Sequence, residues 1–160
     1  MQKPINNPAS PSANSVSSDT AFLNSLISSY PSFSFRPGKT FKFRPKKTIY
    51  YIPPETFNAS PLKSPLETFS LLLCHELAHA LLGHFSYRTD LERLKIEVSA
   101  WEKTKSLCKK FKIPFSEELA TLELDTYRNW LDKKSRCKTC GMTRFETPDG
   151  KYLCPRCDLL

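Results

Sequence analysis

The sequence predicts an α+β fold. A small N-terminal sheet precedes a helical core, and a two-stranded appendage closes the chain. Three patterns carry this reading. Phe33 and Phe35, then Phe41 and Phe43, alternate with polar residues as half-buried strands do, and Ile49-Tyr50-Tyr51-Ile52 reads as a buried strand. Apolar residues recur at helical spacing in three stretches between residues 64 and 131. Near the end, two Cys-x-x-Cys pairs flank a turn.

Residues 1–20 are rich in Ser, Pro and Asn and lack the basic and apolar regions of a secretory leader, so a disordered tail is expected there. Phe22, Leu23, Leu26 and Ile27 predict one short amphipathic helix. Pro37-Gly38 supplies a turn between the first two strands. The next helix starts with Ser64 as N-cap, Pro65 in the first helical position and Glu67 closing a capping box. It is apolar nearly all round, which predicts a buried central helix, and Gly83 ends it. A second helix runs from Thr89-Asp90 to about Lys110 with an apolar stripe of Leu91, Leu94, Val98, Trp101 and Cys108. After Ile113-Pro114-Phe115, Ser116 caps a third helix through Leu119, Leu122, Leu124, Tyr127, Trp130 and Leu131. The Tyr127 hydroxyl has the chemistry to stabilise an oxyanion, but its place in the stripe favours a core or interface role.

The central helix carries His75-Glu76-Leu77-Ala78-His79, an HExxH motif. Positions i and i+4 project from one helical face, so both imidazoles can bind one zinc ion. Glu76 between them can then act as general base on a water at the metal. Burying these three residues without partners would be costly, and a metal with a water resolves that cost.

A catalytic zinc site needs a third protein ligand. His84 follows His79 by five residues, and nine helical steps of about 100° from His75 would turn it to the opposite face. A glutamate from the second helix is therefore expected. Glu92 neighbours Arg88 and Lys95, and Glu102 neighbours three lysines, so both read as solvated, paired charges. Glu97 borders the apolar stripe beside Ala100 and Thr104, small residues that permit close helix approach. Glu97 is the favoured ligand, with an ordinary surface charge as the alternative.

His-Glu-Leu-Ala-His-Ala-Leu-Leu-Gly-His, followed by Glu97-Val98-Ser99-Ala100-Trp101, resembles the ImmA/IrrE-type metallopeptidases over roughly residues 45 to 110. That resemblance implies a zincin-like domain whose third zinc ligand is a glutamate on the helix after the motif. Ser99 stands where the family pattern often has a second glutamate, which leaves Glu97 as the match.

Cys137-x-x-Cys140 and Cys154-x-x-Cys157 are separated by thirteen residues. Each pair suits a knuckle around tetrahedral zinc, with Gly141 after the first. Short strands at 144–147 and 151–153, turned by Pro148-Asp149-Gly150, make this a zinc ribbon with a closed structural site. Cys74 and Cys108 fall in apolar helical settings and read as buried thiols.

The implied organisation is a tail over 1–20, a zincin-like peptidase domain over 21–132 and a zinc ribbon over 133–160, with one catalytic and one structural zinc. The formal charge of +8 is uneven: net +6 over 21–63, −2 over 64–132 and +4 over 133–160. Arg36, Lys39, Lys42, Arg44, Lys46 and Lys47 concentrate it on the strands. A solvated outer face is the favoured reading of that cluster; contact with nucleic acid or an acidic partner, there or through the ribbon, is the other. No segment predicts a membrane span, and paired metal-type cysteines without a leader predict a cytoplasmic protein. The expected activity is hydrolysis of peptide bonds in a protein substrate. The alternatives are a SprT-like peptidase acting near DNA, a group that pairs HExxH with a ribbon but uses a third histidine, and a non-enzymatic zinc-ribbon adaptor.

Overall fold

A computed structural model describes residues 14–57 and 65–158, with only the backbone of 14–17 and 65–68. In chain order the elements are α1 (Asn14–Ser29), β1 (Ser34–Pro37), β2 (Lys42–Arg44), β3 (Thr48–Tyr51), a 3-10 turn (Pro54–Thr56), α2 (Pro65–Leu82), α3 (Asp90–Phe111), α4 (Glu117–Ser135), β4 (Phe145–Glu146) and β5 (Tyr152–Leu153). No described helix is long and apolar enough to cross a membrane.

Helix α1 begins at Asn14, inside the stretch expected to be a tail. Leu23 and Leu26 are buried in the core, and Phe22 meets Phe111 edge-on at 5.9 Å. Packing of that face supports a helix whose Ser- and Asn-rich start would be marginal alone.

The sheet order is β1-β3-β2. β3 lies in the middle, parallel to β1 and antiparallel to β2. The Pro37-Gly38 turn therefore does not make a hairpin; Gly38 N–H donates to the Tyr51 carbonyl at 2.8 Å and the chain passes to the far side of β3. Ile49 on the central strand is fully buried, as a residue covered on both sides must be. The sheet is pinned to α2 by aromatic packing: the Phe69 ring meets Phe41 at 5.7 Å, Phe57 at 6.0 Å and Tyr51 at 6.3 Å. The phenylalanines of the strands thus serve the core, and the six basic residues between them are exposed.

Helix α2 is the central element, with Phe69, Leu71, Leu73, Cys74, Leu77 and Ala78 buried. Pro65 is its first residue; the Ser64 cap and the Glu67 side chain lie outside the described residues. Helix α3 packs along α2, but on a face rotated from the expected stripe. Glu97, Ala100, Trp101, Thr104, Leu107 and Cys108 are buried, while Leu91 is half exposed. Small Ala100 and Thr104 let the helices approach, and the polar cluster described below claims the interior position. Helix α4 buries only Ala120, and Leu122 is exposed, so its apolar face is shallower than expected. It runs to Ser135, which puts residue 133 in its last turn.

The appendage is anchored on the start of α3. Glu146 of β4 accepts hydrogen bonds from Asp90 N–H at 2.7 Å and Leu91 N–H at 3.3 Å. A carboxylate there satisfies free N–H groups and meets the positive end of the helix dipole. The Tyr152 hydroxyl donates to Asp90 at 2.7 Å, and Lys134 pairs with the same carboxylate.

Candidate functional site

His75 and His79 lie one turn apart on α2, and their Nε2 atoms are 3.2 Å from each other. Glu97 Oε2 on α3 is 3.4 Å from each Nε2. The three residues form a group able to hold a metal ion. Of the three glutamates weighed on α3, Glu97 alone is buried; Glu92 pairs with Arg88, and Glu102 is exposed.

The hydrogen bonds fix how both rings face the centre. Thr104 Oγ1 donates to the Ala100 carbonyl at 2.7 Å, so towards His75 Nδ1, 3.4 Å away, it is an acceptor. Ser99 Oγ likewise donates to the Ile96 carbonyl at 2.9 Å and accepts from His84 Nε2 at 3.4 Å. His84 Nδ1 is then left to accept from His79 Nδ1, at 3.1 Å. This set of contacts is satisfied when both α2 histidines carry their proton on Nδ1 and aim an Nε2 lone pair at the Glu97 oxygen. Three electron-rich atoms converging this closely repel one another unless a cation lies between them. Trp101 stacks on the His75 ring at 4.2 Å and holds its plane.

His84 is not where a continued helix would put it. Gly83 at φ +69° ends α2, with its N–H on Ala80 and the His84 N–H on the His79 carbonyl at 3.1 Å. This Schellman ending folds the chain back over the last turn. It brings the His84 ring to 5.2 Å from that of His79, on the side away from the converging Nε2 atoms. Sequence reasoning dismissed His84 by extrapolating the helix. The signal that would have found it was Gly83 itself, because the residue after a left-handed C-terminal glycine returns toward the residue five before it.

Glu76 faces the sheet. It accepts the Phe43 N–H from β2 at 2.5 Å. Burial pushes its carboxyl up, and the Phe43 N–H and nearby positive charge oppose that rise. Phe43 is paired with Ile49, and β2 is an edge strand of the sheet, so the site lies along a strand edge whose Phe43 N–H is taken by Glu76.

The motif residues and Glu97 line a cavity of about 550 Å³ whose wall also includes Lys42, Phe85, Tyr87, Arg93 and Tyr127. Tyr127, for which a core or interface role was expected, is partly buried and lines this cavity. Burial and the Glu97 carboxylate push its hydroxyl up to about 12, which keeps it a hydrogen-bond donor. Arg93 gave no local sequence signal, since its place in the cavity depends on how α3 meets α4 and the loop before it.

Cys137, Cys140, Cys154 and Cys157 form the second group able to hold a metal. Cys140 and Cys154 sulfurs are 3.5 Å apart, and those of Cys137 and Cys157 4.0 Å. The Cys140 and Thr139 N–H groups point at Cys137 Sγ and lower its thiol to about 6, as a knuckle does. Gly141 at φ +74° completes that turn. Cys74 and Cys108 are both buried; bonding to Cys108 and burial push the Cys74 thiol up.

No family model, curated protein or solved structure matches this chain.

Proposed function

We propose that this chain is a zinc-dependent peptidase with a zincin-like catalytic domain and a structural zinc ribbon. The observation that carries the reading is the convergence of His75 Nε2, His79 Nε2 and Glu97 Oε2 at 3.2–3.4 Å beside Glu76. Tetrahedral zinc with ligands at about 2.0–2.1 Å requires ligand atoms about 3.3 Å apart, which is one face of that tetrahedron. Thiolates at about 2.3 Å require about 3.8 Å, and the ribbon sulfurs bracket this value. Two imidazoles and one carboxylate suit a catalytic zinc with an open fourth position, and four thiolates suit a closed one. The glutamate ligand implied by the ImmA/IrrE resemblance agrees with the place of Glu97. A SprT-like third histidine has no counterpart, since His84 bonds to His79 on the side away from the centre. A cytoplasmic setting would keep the ribbon thiols reduced.

When bound, zinc supplies Lewis acidity and lowers the pKa of water. His75, His79 and Glu97 would hold it, and the Thr104 and His84 acceptors would keep both imidazoles in the ligating tautomer. An extended peptide adding to the edge of β2 would take the Phe43 N–H in place of Glu76 and lie along the cavity, with its backbone beside the released carboxylate. Glu76 takes a proton from the attacking water and delivers it to the leaving amine. Tyr127 offers a neutral donor to the carbonyl oxygen as it gains charge.

Glu76→Gln tests this. Zinc content and fold should persist, while hydrolysis of a proteome-derived peptide mixture, read by mass spectrometry, falls by about 10²–10⁴. Undiminished hydrolysis in that variant would remove Glu76 from the mechanism, and no hydrolysis by the zinc-loaded parent would remove the peptidase reading.

A further inference from the structure

The cavity holds a cation that the hydrolytic machinery does not use. Arg93 lies one turn before Glu97 on α3, so both side chains rise from the same helical face. Its guanidinium sits within three aromatic rings: the carbon is 5.4 Å from the Tyr87 ring, 5.2 Å from Tyr127 and 5.1 Å from Trp130. Three rings around one planar cation hold it in place, and a guanidinium carries five N–H donors, more than the Tyr127 hydroxyl beside it can take. Among the described residues Arg93 makes no ion pair with a carboxylate. Asp90, one turn earlier, is committed to Lys134 and to the Tyr152 hydroxyl. Phe43 and Phe85 also line the cavity and meet with ring centroids 5.5 Å apart, and Phe85 is about half exposed. The cavity lining thus combines an apolar pair of rings with a guanidinium that no carboxylate pairs, although Glu76, Glu97 and Glu123 line the same cavity.

We infer that Arg93 is the specificity-determining residue for a carboxylate on the substrate, bound by paired N–H donors while an apolar side chain rests on Phe43 and Phe85. The inference rests on the peptidase reading for its substrate class. Its ligand chemistry is a carboxylate, supplied either by an acidic side chain near the scissile bond or by the C-terminus of the peptide. A planar guanidinium matches both, and its stacking removes much of the ordering cost of forming two parallel hydrogen bonds.

The test measures binding, so it does not depend on turnover. Trp130 lies against the guanidinium and Trp101 lines the same cavity, so tryptophan fluorescence of the zinc-loaded chain reports occupancy. Two probe pairs separate the sources: N-acetyl-Phe-Ala as free acid against its amide, and N-acetyl-Phe-Asp amide against N-acetyl-Phe-Asn amide. At least one acid should bind about tenfold or more tightly than its neutral counterpart, and the pair showing the preference identifies the source. Arg93→Gln should bring that ratio close to one without loss of zinc. Arg93→Lys, which keeps the charge and lacks the fork, should give an intermediate ratio and serves as the readout if Arg93→Gln is unstable. Equal binding of acid and neutral probes by the parent overturns the inference while leaving hydrolysis to be judged separately. An acid preference that survives both substitutions places the carboxylate on the metal and overturns it equally.

Discussion

Replacing His84 by Ala tests the arrangement of the centre most directly. The ring accepts the His79 Nδ1 proton at 3.1 Å and is itself held by Ser99, so its removal leaves His79 without the acceptor that fixes its tautomer. Partners of this kind are worth about 10–100-fold in metal affinity, or about 1.4–2.8 kcal/mol. His79 is largely buried, with a side chain 12% exposed, yet it faces a cavity that water can enter. Water can replace part of the lost bond, so the expected loss lies near tenfold. His84→Asn places an amide oxygen close to the original Nδ1 position and should recover most of the affinity. Ser99→Ala removes a 3.4 Å contact at the far end of the chain of bonds, along with the bond to the Ile96 carbonyl, and should cost a few-fold in zinc affinity. The assay is zinc competition against a chromophoric chelator, with the ribbon zinc counted separately. An affinity for His84→Ala within twofold of the parent would refute the tautomer argument. Loss of zinc as complete as that caused by Glu97→Ala would make His84 a ligand and refute it from the other side.

Glu97→Ala should empty the histidine site, whereas Glu92→Ala and Glu102→Ala should leave two zinc ions per chain by elemental analysis; zinc retained without Glu97 would contradict the ligand set. Asp90→Asn should lower stability by about 1–2 kcal/mol, discounted because Lys134 is 44% exposed, and a double-mutant cycle with Tyr152→Phe should show coupling. Burial would raise the Asp90 carboxyl, but Lys134 and Tyr152 hold it below its ordinary value. The stability it adds is therefore complete above the unfolded value of about 4 and lost as pH falls through the lower folded value, so parent and variant melting curves should converge in acid. Lys112 ends α3 in the left-handed region at φ 55°, with its N–H on the Cys108 and Lys109 carbonyls. Lys112→Gly should raise stability by about 1 kcal/mol in thermal melts, and a fall would show that its side chain has a packing role.

The features legible in the sequence are those set by local repeats. A helix returns to the same face every three to four residues, so the spacing of His75 and His79 alone places two imidazoles together. A Cys-x-x-Cys turn closes on itself, so each ribbon knuckle was readable as well, and so was the end of α2 at Gly83. Glu97 was reached by elimination among three glutamates, although the stripe used to select it was rotated: Leu91 is exposed and the buried face runs through Ala100 and Thr104. What the tertiary structure decided is how separate elements meet. It placed β3 between β1 and β2, set the Phe43 N–H against Glu76 and put Glu146 on the first N–H groups of α3. It also enclosed Arg93 among rings from a loop and from α4. Backbone sterics impose the short periods on any sequence, whereas the partner of each face is chosen by competing burial and hydrogen bonding across the whole chain. That competition turned α3 so that a carboxylate, and not a leucine, faces the two histidines.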